Sequence, residues 1–264
     1  MQAFFHLKRE LNNRLDYNRV KSPSVNVHFH SNIELYCIRS GAVEVLINDQ
    51  KRVLREGEFC ISFSYDTHGY RSIGASEVEF LSIPTTYCED ILPLFDKKHV
   101  DSHFIDDPKA CQIVFDAMTE LLKQPNELMQ KGYVYLILGA VLDKTSFLPT
   151  EEKQGEHFSA EILIYISNHF REELTLSMLA KKFGYNPSYL SRSFRQRFGI
   201  SFGKYLKMLR LREAVLLLRD SNASVTKSVI ESGFGSMRSF YRAFQEEFGC
   251  TPKEYFSNKT APIR

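Results

Sequence analysis

Hydrophobic positions follow two different periods along the chain, and the period changes near residue 108. Between residues 25 and 83, short runs of Val, Ile, Phe and Tyr are separated by turn residues such as Ser40-Gly41 and Asn48-Asp49. These runs predict strands over 33–39, 42–47, 50–54, 59–63 and 78–83. Short strands at this spacing are typical of a small antiparallel β-barrel or sandwich.

After residue 108 the apolar positions recur at helical spacing. They predict helices over 109–122 and 132–144, and the polar stretch 149–156 predicts a linker. Every segment beyond the linker has a helical pattern. The chain is therefore predicted to be α+β, with an antiparallel β-barrel over 1–108, a helical segment over 109–148 and an all-α domain over 157–258.

The C-terminal domain contains an internal repeat. Residues 179–185 match residues 228–234 at an offset of 49, and later positions match at an offset of 50. The later pairs include Phe194 with Phe244, Phe198 with Phe248 and Tyr205 with Tyr255. Each copy predicts two short helices around a Gly-aromatic step, which is the arrangement of a helix-turn-helix unit.

The first unit covers about residues 175–198. Thr175 is predicted to cap its first helix, Gly184 to supply a left-handed turn, and Asn186-Pro187 to begin its second helix. The second helix is predicted to bury Leu190, Phe194 and Phe198. Its opposite face carries hydroxyl and basic side chains, which are Ser188, Tyr189, Ser191, Arg192 and Arg195.

The second unit covers about residues 224–248. Ser224 and Ser236 are the predicted caps, and Gly233-Phe234 is the predicted turn. Its second helix is predicted to bury Phe240, Phe244 and Phe248, and to expose Ser236, Met237, Arg238, Tyr241 and Arg242. Such faces suit the major groove of DNA, since arginine binds guanine bidentately and hydroxyls bind phosphates. The alternative is a helical bundle with solvated arginines, which two matching units make less favourable.

A single helix is predicted between the two units, over 202–219. At 1.5 Å per residue its 18 residues extend roughly 27 Å. That length could hold the two second helices near the ~34 Å that separates successive major-groove faces on one side of a duplex.

Charge is distributed unevenly along the chain. Residues 156–264 carry a net charge of +7 and the remainder −5, so only the C-terminal part is predicted to meet a polyanion. No apolar run is long enough for a membrane span or a secretory signal, and the five cysteines are scattered without a C-x-x-C motif. The sequence therefore predicts a cytoplasmic protein with reduced thiols.

Four segments of the C-terminal domain closely resemble the signature of AraC/XylS-type transcriptional regulators. They are LREAVLLL at 211–218, VTKSVIESGF at 225–234, SFYRAF at 239–244 and FGCTPKEY at 248–255. The resemblance spans roughly residues 157–258 and implies a seven-helix DNA-binding domain. It also implies base contacts from Ser188, Ser191 and Arg192 in the first unit, and from Met237, Arg238, Tyr241 and Arg242 in the second.

Two positions depart from the family pattern. Val229 replaces a small residue, usually alanine, in the first helix of the second unit. Met237 is apolar on a face expected to be polar. We therefore expect the second unit to read bases loosely or through methyl contacts.

The N-terminal domain carries a constellation of imidazoles and one carboxylate. On a strand, His28, His30 and Glu34 lie on one face, and His68 is predicted to approach from a partner strand. The spacing resembles metal-binding cupins, in which these residue types bind a first-row transition metal. Phe63 and Tyr65 stand where that pattern has Pro and Gly, and the Gly before the first His is absent.

Regulatory cupin-like domains of the AraC/XylS family usually bind a small effector without a metal. The resemblance therefore favours a metal-free effector pocket lined by His28, His30, Glu34, Tyr36 and His68, with no cofactor. A metal bound by His28, His30, Glu34 and His68 is the alternative. Enzymatic turnover is not predicted, because no separate acid–base pair or nucleophile is evident.

Taken together, these features predict a sequence-specific transcriptional regulator controlled by a small-molecule effector, such as a sugar or other metabolite. Its predicted partners are double-stranded DNA, a second copy of the chain paired through 109–148, and RNA polymerase if it is an activator. Two alternatives stay open. One is a metal-dependent cupin enzyme fused to a DNA-binding domain, and the other is a regulator that responds to a protein partner.

Overall fold

The computed structural model describes residues 3–12, 14–95, 98–149, 160–220 and 224–257. The chain folds into two compact units that divide near residue 161. The N-terminal unit is built mainly of strands and the C-terminal unit of helices, which confirms the α+β prediction. Most of the predicted linker, 150–156, lies outside the described residues. None of the helices in the described part is long and apolar enough to cross a membrane.

One sheet dominates the N-terminal unit. Its strands are β1 (Phe4–Phe5), β2 (Asp16–Lys21), β3 (Ser24–Phe29), β4 (Ile33–Ile47), β5 (Gln50–Arg55), β6 (Phe59–Ser62), β7 (His68–Ile83) and β9 (Phe104–Ile105). β8 (Lys98–Val100) pairs separately with β10 (Phe147–Pro149). The main sheet runs β1-β3-β7-β4-β6-β9, with β2 added on β7 and β5 on β4.

The long antiparallel pair of β4 and β7 organises this sheet. Its register runs from Ile33 opposite Ile83 to Ile47 opposite His68, so the predicted strand 78–83 is only the end of β7. The predicted strands 33–39 and 42–47 are one strand, and the expected turn at Gly41 is wrong. Gly41 has φ +76° and lies at a register shift, and a Cβ there would overlap the carbonyl oxygen of Ala75. This glycine therefore forms a bulge rather than a turn.

The predicted antiparallel barrel is correct in class but differs in two details. Within the described residues, hydrogen bonding does not close the sheet, because the outer strands β1 and β9 pair only with β3 and β6. In addition, β1 runs parallel to β3, with Phe4 opposite His28. The alternation of apolar and polar residues does not predict either detail, because β1 and β9 are only two residues long and show no period.

Side chains alternate between two apolar clusters on opposite faces of β4. Tyr36 and Ile38 belong to a cluster that includes Tyr70 and Phe80 of β7. Leu35 belongs to a second cluster, which is covered by helices. This period-two alternation also directs Glu34 to the same face as Tyr36.

Two helices cover the second cluster: α2 (Pro108–Leu121) and α3 (Glu127–Leu142). A short helix, α1 (Leu7–Glu10), and two 3-10 segments, Thr85–Tyr87 and Glu89–Phe95, complete the N-terminal unit. α3 begins earlier than its predicted start at 132, because the Asn126 side chain accepts a hydrogen bond from the Met129 amide (3.0 Å). Both predicted helices are therefore present.

A buried ionic cluster links the sheet to α2. Glu79 on β7 is fully buried, and its carboxylate oxygens lie 2.6 Å from an Arg19 nitrogen and 2.5 Å from an Arg39 nitrogen. Arg39 also donates to the Phe115 carbonyl oxygen (3.0 Å) and stacks over the Phe115 ring. This ionic cluster therefore joins β2, β4 and β7 to one another and to α2.

The described part of the C-terminal unit contains seven helices, which agrees with the predicted all-α domain. They are α4 (Ala160–His169), α5 (Leu176–Lys182), α6 (Pro187–Phe198), α7 (Phe202–Asp220), α8 (Val225–Glu231), α9 (Met237–Phe248) and α10 (Pro252–Ser257). α7 is continuous, as predicted, and buries Tyr205, Leu209 and Ala214. Arg210 of α7 donates to the carbonyl oxygens of Phe170 (2.7 Å) and Glu172 (2.8 Å), which fixes the segment after α4.

Candidate nucleic-acid interface and buried histidine cluster

Local capping fixes the first helix-turn-helix unit. The Thr175 hydroxyl accepts a hydrogen bond from the Met178 amide (3.2 Å), which begins α5. Gly184 has φ +70° and turns the chain. The Asn186 side-chain oxygen then accepts from the amides of Ser188 (2.9 Å) and Tyr189 (3.3 Å), which begins α6. The structure places each cap and turn residue where the sequence predicts it.

The two faces of α6 differ sharply. Leu190 and Phe194 are buried, whereas the predicted contact residues Ser188, Ser191, Arg192 and Arg195 are exposed. Tyr189 is half-buried, with its ring 5.8 Å from that of Tyr185, so it is less available than predicted. Among the described residues, neither Arg192 nor Arg195 forms an ion pair. Both guanidinium groups are therefore free to meet an anion.

The second unit repeats this construction. The hydroxyls of Ser224 and Ser236 accept from the amides of Lys227 (3.3 Å) and Ser239 (3.2 Å), and Gly233 has φ +83°. On α9, Phe240 and Phe244 are fully buried. Phe248 is only half-buried, because it lies in the last turn of the helix beside Tyr255 (ring centroids 4.8 Å apart), so its predicted burial is incomplete.

The outer face of α9 is more mixed than that of α6. Arg238, Tyr241 and Arg242 are exposed and Met237 is half-buried. Arg242 is paired with Glu246 of the same helix, at 2.9 Å. The predicted contact residues thus share one face in each unit. The separation of the two faces along DNA stays a prediction.

The four predicted metal-ligand candidates meet in the N-terminal unit. Donor atoms of His28, His30, Glu34 and His68 all lie within 4.8 Å of one another, and each side chain is at most 2% exposed. They do not share one strand, as predicted: His28 lies on β3, His30 in the connection to β4, and Glu34 on β4. His68 lies on β7, paired opposite His28. Tyr36, the fifth predicted pocket residue, is also buried and stacks on Tyr70 with ring centroids 3.5 Å apart.

Backbone carbonyls fix the orientation of two of the imidazoles. The Nδ1 atoms of His28 and His68 lie 2.9 Å from the Asn26 carbonyl oxygen and 2.8 Å from the Asp66 carbonyl oxygen. Because a carbonyl oxygen only accepts, each Nδ1 donates, and each neutral ring keeps a lone pair on Nε2. Metal-ligating histidines are oriented in this way by their second nitrogen.

The inward-facing atoms lack hydrogen-bond partners. Nε2 of His30 lies 3.1 Å from Glu34 Oε1, and Nε2 of His68 lies 3.3 Å from Glu34 Oε2. Neither contact has hydrogen-bond alignment, so both Nε2 atoms and Glu34 Oε1 are buried without a hydrogen bond among the described residues. Glu34 Oε1 also lies 3.4 Å from Arg9 Nε, which gives the carboxylate one ion-pair partner. Buried polar atoms in this state are uncommon, and a bound water or a bound ion would satisfy them.

A further histidine, which the sequence reasoning missed, approaches the cluster. His6 lies between β1 and α1, with its ring centroid 5.2 Å from that of His28, and its Nδ1 is buried without a hydrogen bond among the described residues. Only the parallel pairing of β1 with β3 brings it there. No spacing rule connects His6 to the H-x-H motif, so the sequence alone carries no signal for it.

Burial and repulsion between imidazoles lower the pKa values of His28 and His6. Burial, followed by repulsion from His68 and His30, lowers the pKa of His28 to about 2. Burial, followed by His30, lowers the pKa of His6 to about 4. Burial alone would raise the pKa of Glu34, but His30 and His68 outweigh it and hold that pKa well below its usual value. At neutral pH His6 and His28 are therefore neutral and Glu34 is ionised. Imidazoles together with one carboxylate are a suitable ligand set for a first-row transition metal.

Comparison with known proteins agrees with both halves of the structure. The chain matches a family model described as a helix-turn-helix domain over residues 179–258, and one described as a cupin domain over residues 20–84. It is 25% identical over 250 residues to the HTH-type transcriptional activator RhaS of Escherichia fergusonii, which covers 90% of this chain and 89% of RhaS.

Two further matches have a higher sequence identity over a smaller share of the chain. An uncharacterised HTH-type transcriptional regulator of Staphylococcus aureus is 34% identical over 141 residues, covering 52% of this chain and 19% of that protein. Among solved structures, the C-terminal domain of AraT, a response regulator from Geobacillus stearothermophilus, is 30% identical. That match covers 39% of this chain and 85% of the other, with a TM-score of 0.35.

A cupin-like β domain followed by two helix-turn-helix units defines a DNA-binding transcriptional regulator. The two domain matches and the similarity to RhaS support an AraC-type regulator with an N-terminal cupin-like domain.

Proposed function

We propose that this regulator recognises a specific DNA sequence with both helix-turn-helix units, and that a ligand of the cupin-like domain controls its affinity. The observation that carries the first part is the face of α6. There, Ser188, Ser191, Arg192 and Arg195 are exposed, and the two arginines have no ion-pair partner among the described residues. Hydroxyls and arginines on a helix of this kind contact phosphates and base edges in the major groove.

Selection from a random-sequence duplex pool with the full-length protein, followed by gel-shift titration, tests this proposal. We expect one preferred sequence, and we expect Arg192→Ala to weaken its binding by about 10-fold or more, because a bidentate base contact contributes about 1–3 kcal/mol. Arg71→Ala is the matched control, since it removes an exposed arginine from the N-terminal unit. No sequence preference at physiological salt would contradict the proposal.

Two classes of ligand are candidates for the cupin-like domain. A small organic effector is the class that the family resemblance favours. However, the predicted pocket residues are at most 5% exposed and pack on one another, so an effector there would have to displace them. An open groove of about 720 Å³ beside α2, lined in part by Arg39, Arg52 and Phe115, offers an organic molecule more room.

A transition-metal ion is the candidate that the geometry of the cluster favours. His28, His30, Glu34 and His68 fit such an ion, because their donor atoms converge and the inward nitrogens of His30 and His68 lack hydrogen bonds among the described residues. The ion would supply a charge that holds these strands together. In that case the cluster acts as a regulatory site for a metal and not as a pocket for a metabolite.

Metal analysis separates these two classes. Protein purified without chelator would be assayed for bound metal and titrated calorimetrically with Mn²⁺, Ni²⁺ and Zn²⁺. We expect one ion per chain, and we expect His30→Ala to abolish tight binding. His169→Ala is the control, because it removes a histidine of the C-terminal unit. If no stoichiometric metal binds, the metal candidate is wrong, and calorimetry with sugars and other metabolites tests the organic effector, with Arg39→Ala probing the groove.

We also propose that the protein pairs with a second copy through α3. Val134, Ile137, Leu138 and Val141 cover the sheet, yet Leu128 is 80% exposed on the same helix and Tyr135 and Leu136 are exposed as well. Sedimentation velocity should show a dimer that Leu128→Glu dissociates, whereas Arg71→Glu, at an exposed position on β7, should not. A wild-type monomer at micromolar concentration would contradict this pairing.

The relative RhaS is described as an activator. We propose the same direction of regulation here, with RNA polymerase as the partner. A reporter gene placed behind the selected DNA site should rise in expression when the protein is present, and a fall would indicate a repressor.

A further inference from the structure

The two helix-turn-helix units differ greatly in charge. Residues 175–198 contain five basic residues and no acidic one, whereas residues 224–248 contain three basic and three acidic residues. The first unit therefore has a net charge of +5 and the second a net charge of zero. A long-range attraction to DNA phosphates comes from the first unit alone.

The internal repeat shows where the charge is lost. In the second helices, Arg195, Gln196 and Arg197 correspond to Gln245, Glu246 and Glu247. In the first helices, Lys181 and Lys182 correspond to Ile230 and Glu231. The folds of the units are alike while the electrostatic character is not, so the difference belongs to the surface and not to the architecture.

Ion pairs within the second unit reduce its attraction to DNA phosphates further. Arg242 lies 2.9 Å from Glu246, and Lys227 lies 3.8 Å from Glu231. Arg242, followed by Lys207, lowers the pKa of Glu246, so this carboxylate stays ionised at neutral pH. Even when Arg242 turns to a phosphate, the exposed Glu246 remains nearby and repels it. Arg238 is the basic residue on the face of α9 that forms no ion pair among the described residues.

Apolar groups occupy the second unit's face instead. Met237 is half-buried in the first turn of α9, and Tyr241, one turn later, is 46% exposed. At the corresponding positions of the first unit stand Pro187 and Ser191. The N-terminal residues of such helices contact base edges, and the 5-methyl group of thymine is the apolar group that the major groove offers.

We infer that the two units divide the work of recognition: the first supplies the electrostatic affinity, and the second reads thymine methyl groups through Met237 and Tyr241. This inference rests on the proposed function, in which both units bind DNA. It specifies a thymine-containing half-site for the second unit, and it assigns Met237 as a residue that determines sequence specificity.

Removal of single methyl groups tests the readout. Each thymine of the selected duplex is replaced in turn by deoxyuridine, which lacks only the 5-methyl group. We expect about a fourfold loss of affinity at one or two positions of the second half-site, equivalent to about 0.8 kcal/mol per buried carbon. Met237→Ala should bind thymine and uracil duplexes equally well, whereas Met237→Leu should keep the difference. Ser188→Ala, in the first unit, should leave that difference unchanged.

Salt dependence tests the division of charge. Each phosphate contact contributes about 0.9 to the slope of log K against log salt concentration. Arg195→Gln gives the first unit the residue found at the equivalent position of the second, and should lower the slope by about 0.9. Arg242→Gln removes a charge already paired with Glu246 and should lower it by less than half as much.

The outcomes separate this inference from the proposed function. The proposed division between the two units is wrong if the protein binds its selected sequence normally but shows no loss of affinity on replacing thymine by deoxyuridine. It is also wrong if Arg195→Gln and Arg242→Gln change the salt slope equally. Either result leaves the proposed DNA recognition intact. Loss of reporter expression by Met237→Ala with unchanged DNA affinity also overturns the division, because the face then contacts a protein. Absence of any preferred sequence in the selection overturns the proposed function itself. Circular dichroism of each variant establishes that the helices are retained.

Discussion

Gly233 and Gly184 are the turn glycines of the two helix-turn-helix units, and they allow a matched test of packing. Both have a positive φ, +83° and +70°, which costs an alanine roughly 1–2 kcal/mol. Their surroundings differ, however. A Cβ at Gly233 would lie 2.7 Å from the Cα and the carbonyl oxygen of Arg171, whereas a Cβ at Gly184 would meet nothing within 4 Å.

The contact at Gly233 cannot be relieved by rotating a side chain. The backbone of Arg171 would have to move, although its neighbours Phe170 and Glu172 are held by Arg210, and its own side chain lies 2.5 Å from Glu213. Overpacking of this kind costs about 1–3 kcal/mol. We therefore expect Gly184→Ala to lower the free energy of unfolding by about 1–2 kcal/mol and Gly233→Ala to lower it by about 2–5 kcal/mol.

Urea denaturation of the full chain, followed by far-ultraviolet circular dichroism, measures both values. Gly203→Ala is the control, because Gly203 lies within α7 with open space around it, and alanine there should be neutral or stabilising. Equal losses for Gly184→Ala and Gly233→Ala would refute the argument, since they would show that the Arg171 backbone yields without cost.

Two further predictions concern the N-terminal unit. Glu79→Gln should lower its free energy of unfolding by about 1–3 kcal/mol, because Arg19 and Arg39 lose a fully buried carboxylate but stay partly exposed to water. A loss below about 0.5 kcal/mol in urea denaturation would contradict this. In metal-free protein the stability of the same unit should fall as the pH drops below about 6.5. Below that pH the two histidines are protonated in the unfolded chain but stay neutral in the folded chain, because the folded pKa values of His6 and His28 are about 4 and 2. Each histidine therefore lowers the free energy of unfolding by about 1.4 kcal/mol per pH unit, until the pH reaches its folded pKa. Urea midpoints at pH 7 and pH 5 measure this effect; His28→Asn should reduce it, and equal midpoints for the wild type would exclude it.

Signals that act over a few residues made the C-terminal unit predictable. Thr175, Asn186 and Ser236 cap their helices as expected, because a cap depends only on the next three residues. The charge difference between the units was also present in the sequence, but counting charge over the whole domain concealed it. Only a count for each repeat shows that the second unit is neutral.

Long-range pairing made the N-terminal unit harder to predict. The sequence predicted His28, His30 and Glu34 on one strand, whereas the connection between β3 and β4 separates His28 from Glu34. The residues do converge, but not through period-two alternation, and the sequence did not show that they are buried. The parallel pairing of β1 with β3 stacks Phe4 on His28 and places His6, the residue after β1, beside the cluster. Gly41 was interpreted as a turn, because a bulge within a long strand and a turn between two short ones have the same local composition.

The side-chain oxygen of Asn186 has a consequence for how accurately bases are discriminated. By accepting from two successive amides, it defines the residue at which α6 starts. The depth at which Ser188 and Ser191 enter a groove is therefore determined before any nucleic acid arrives. A chain with a frayed helix start would still be attracted to DNA by its arginines, but it would distinguish one base pair from another less sharply.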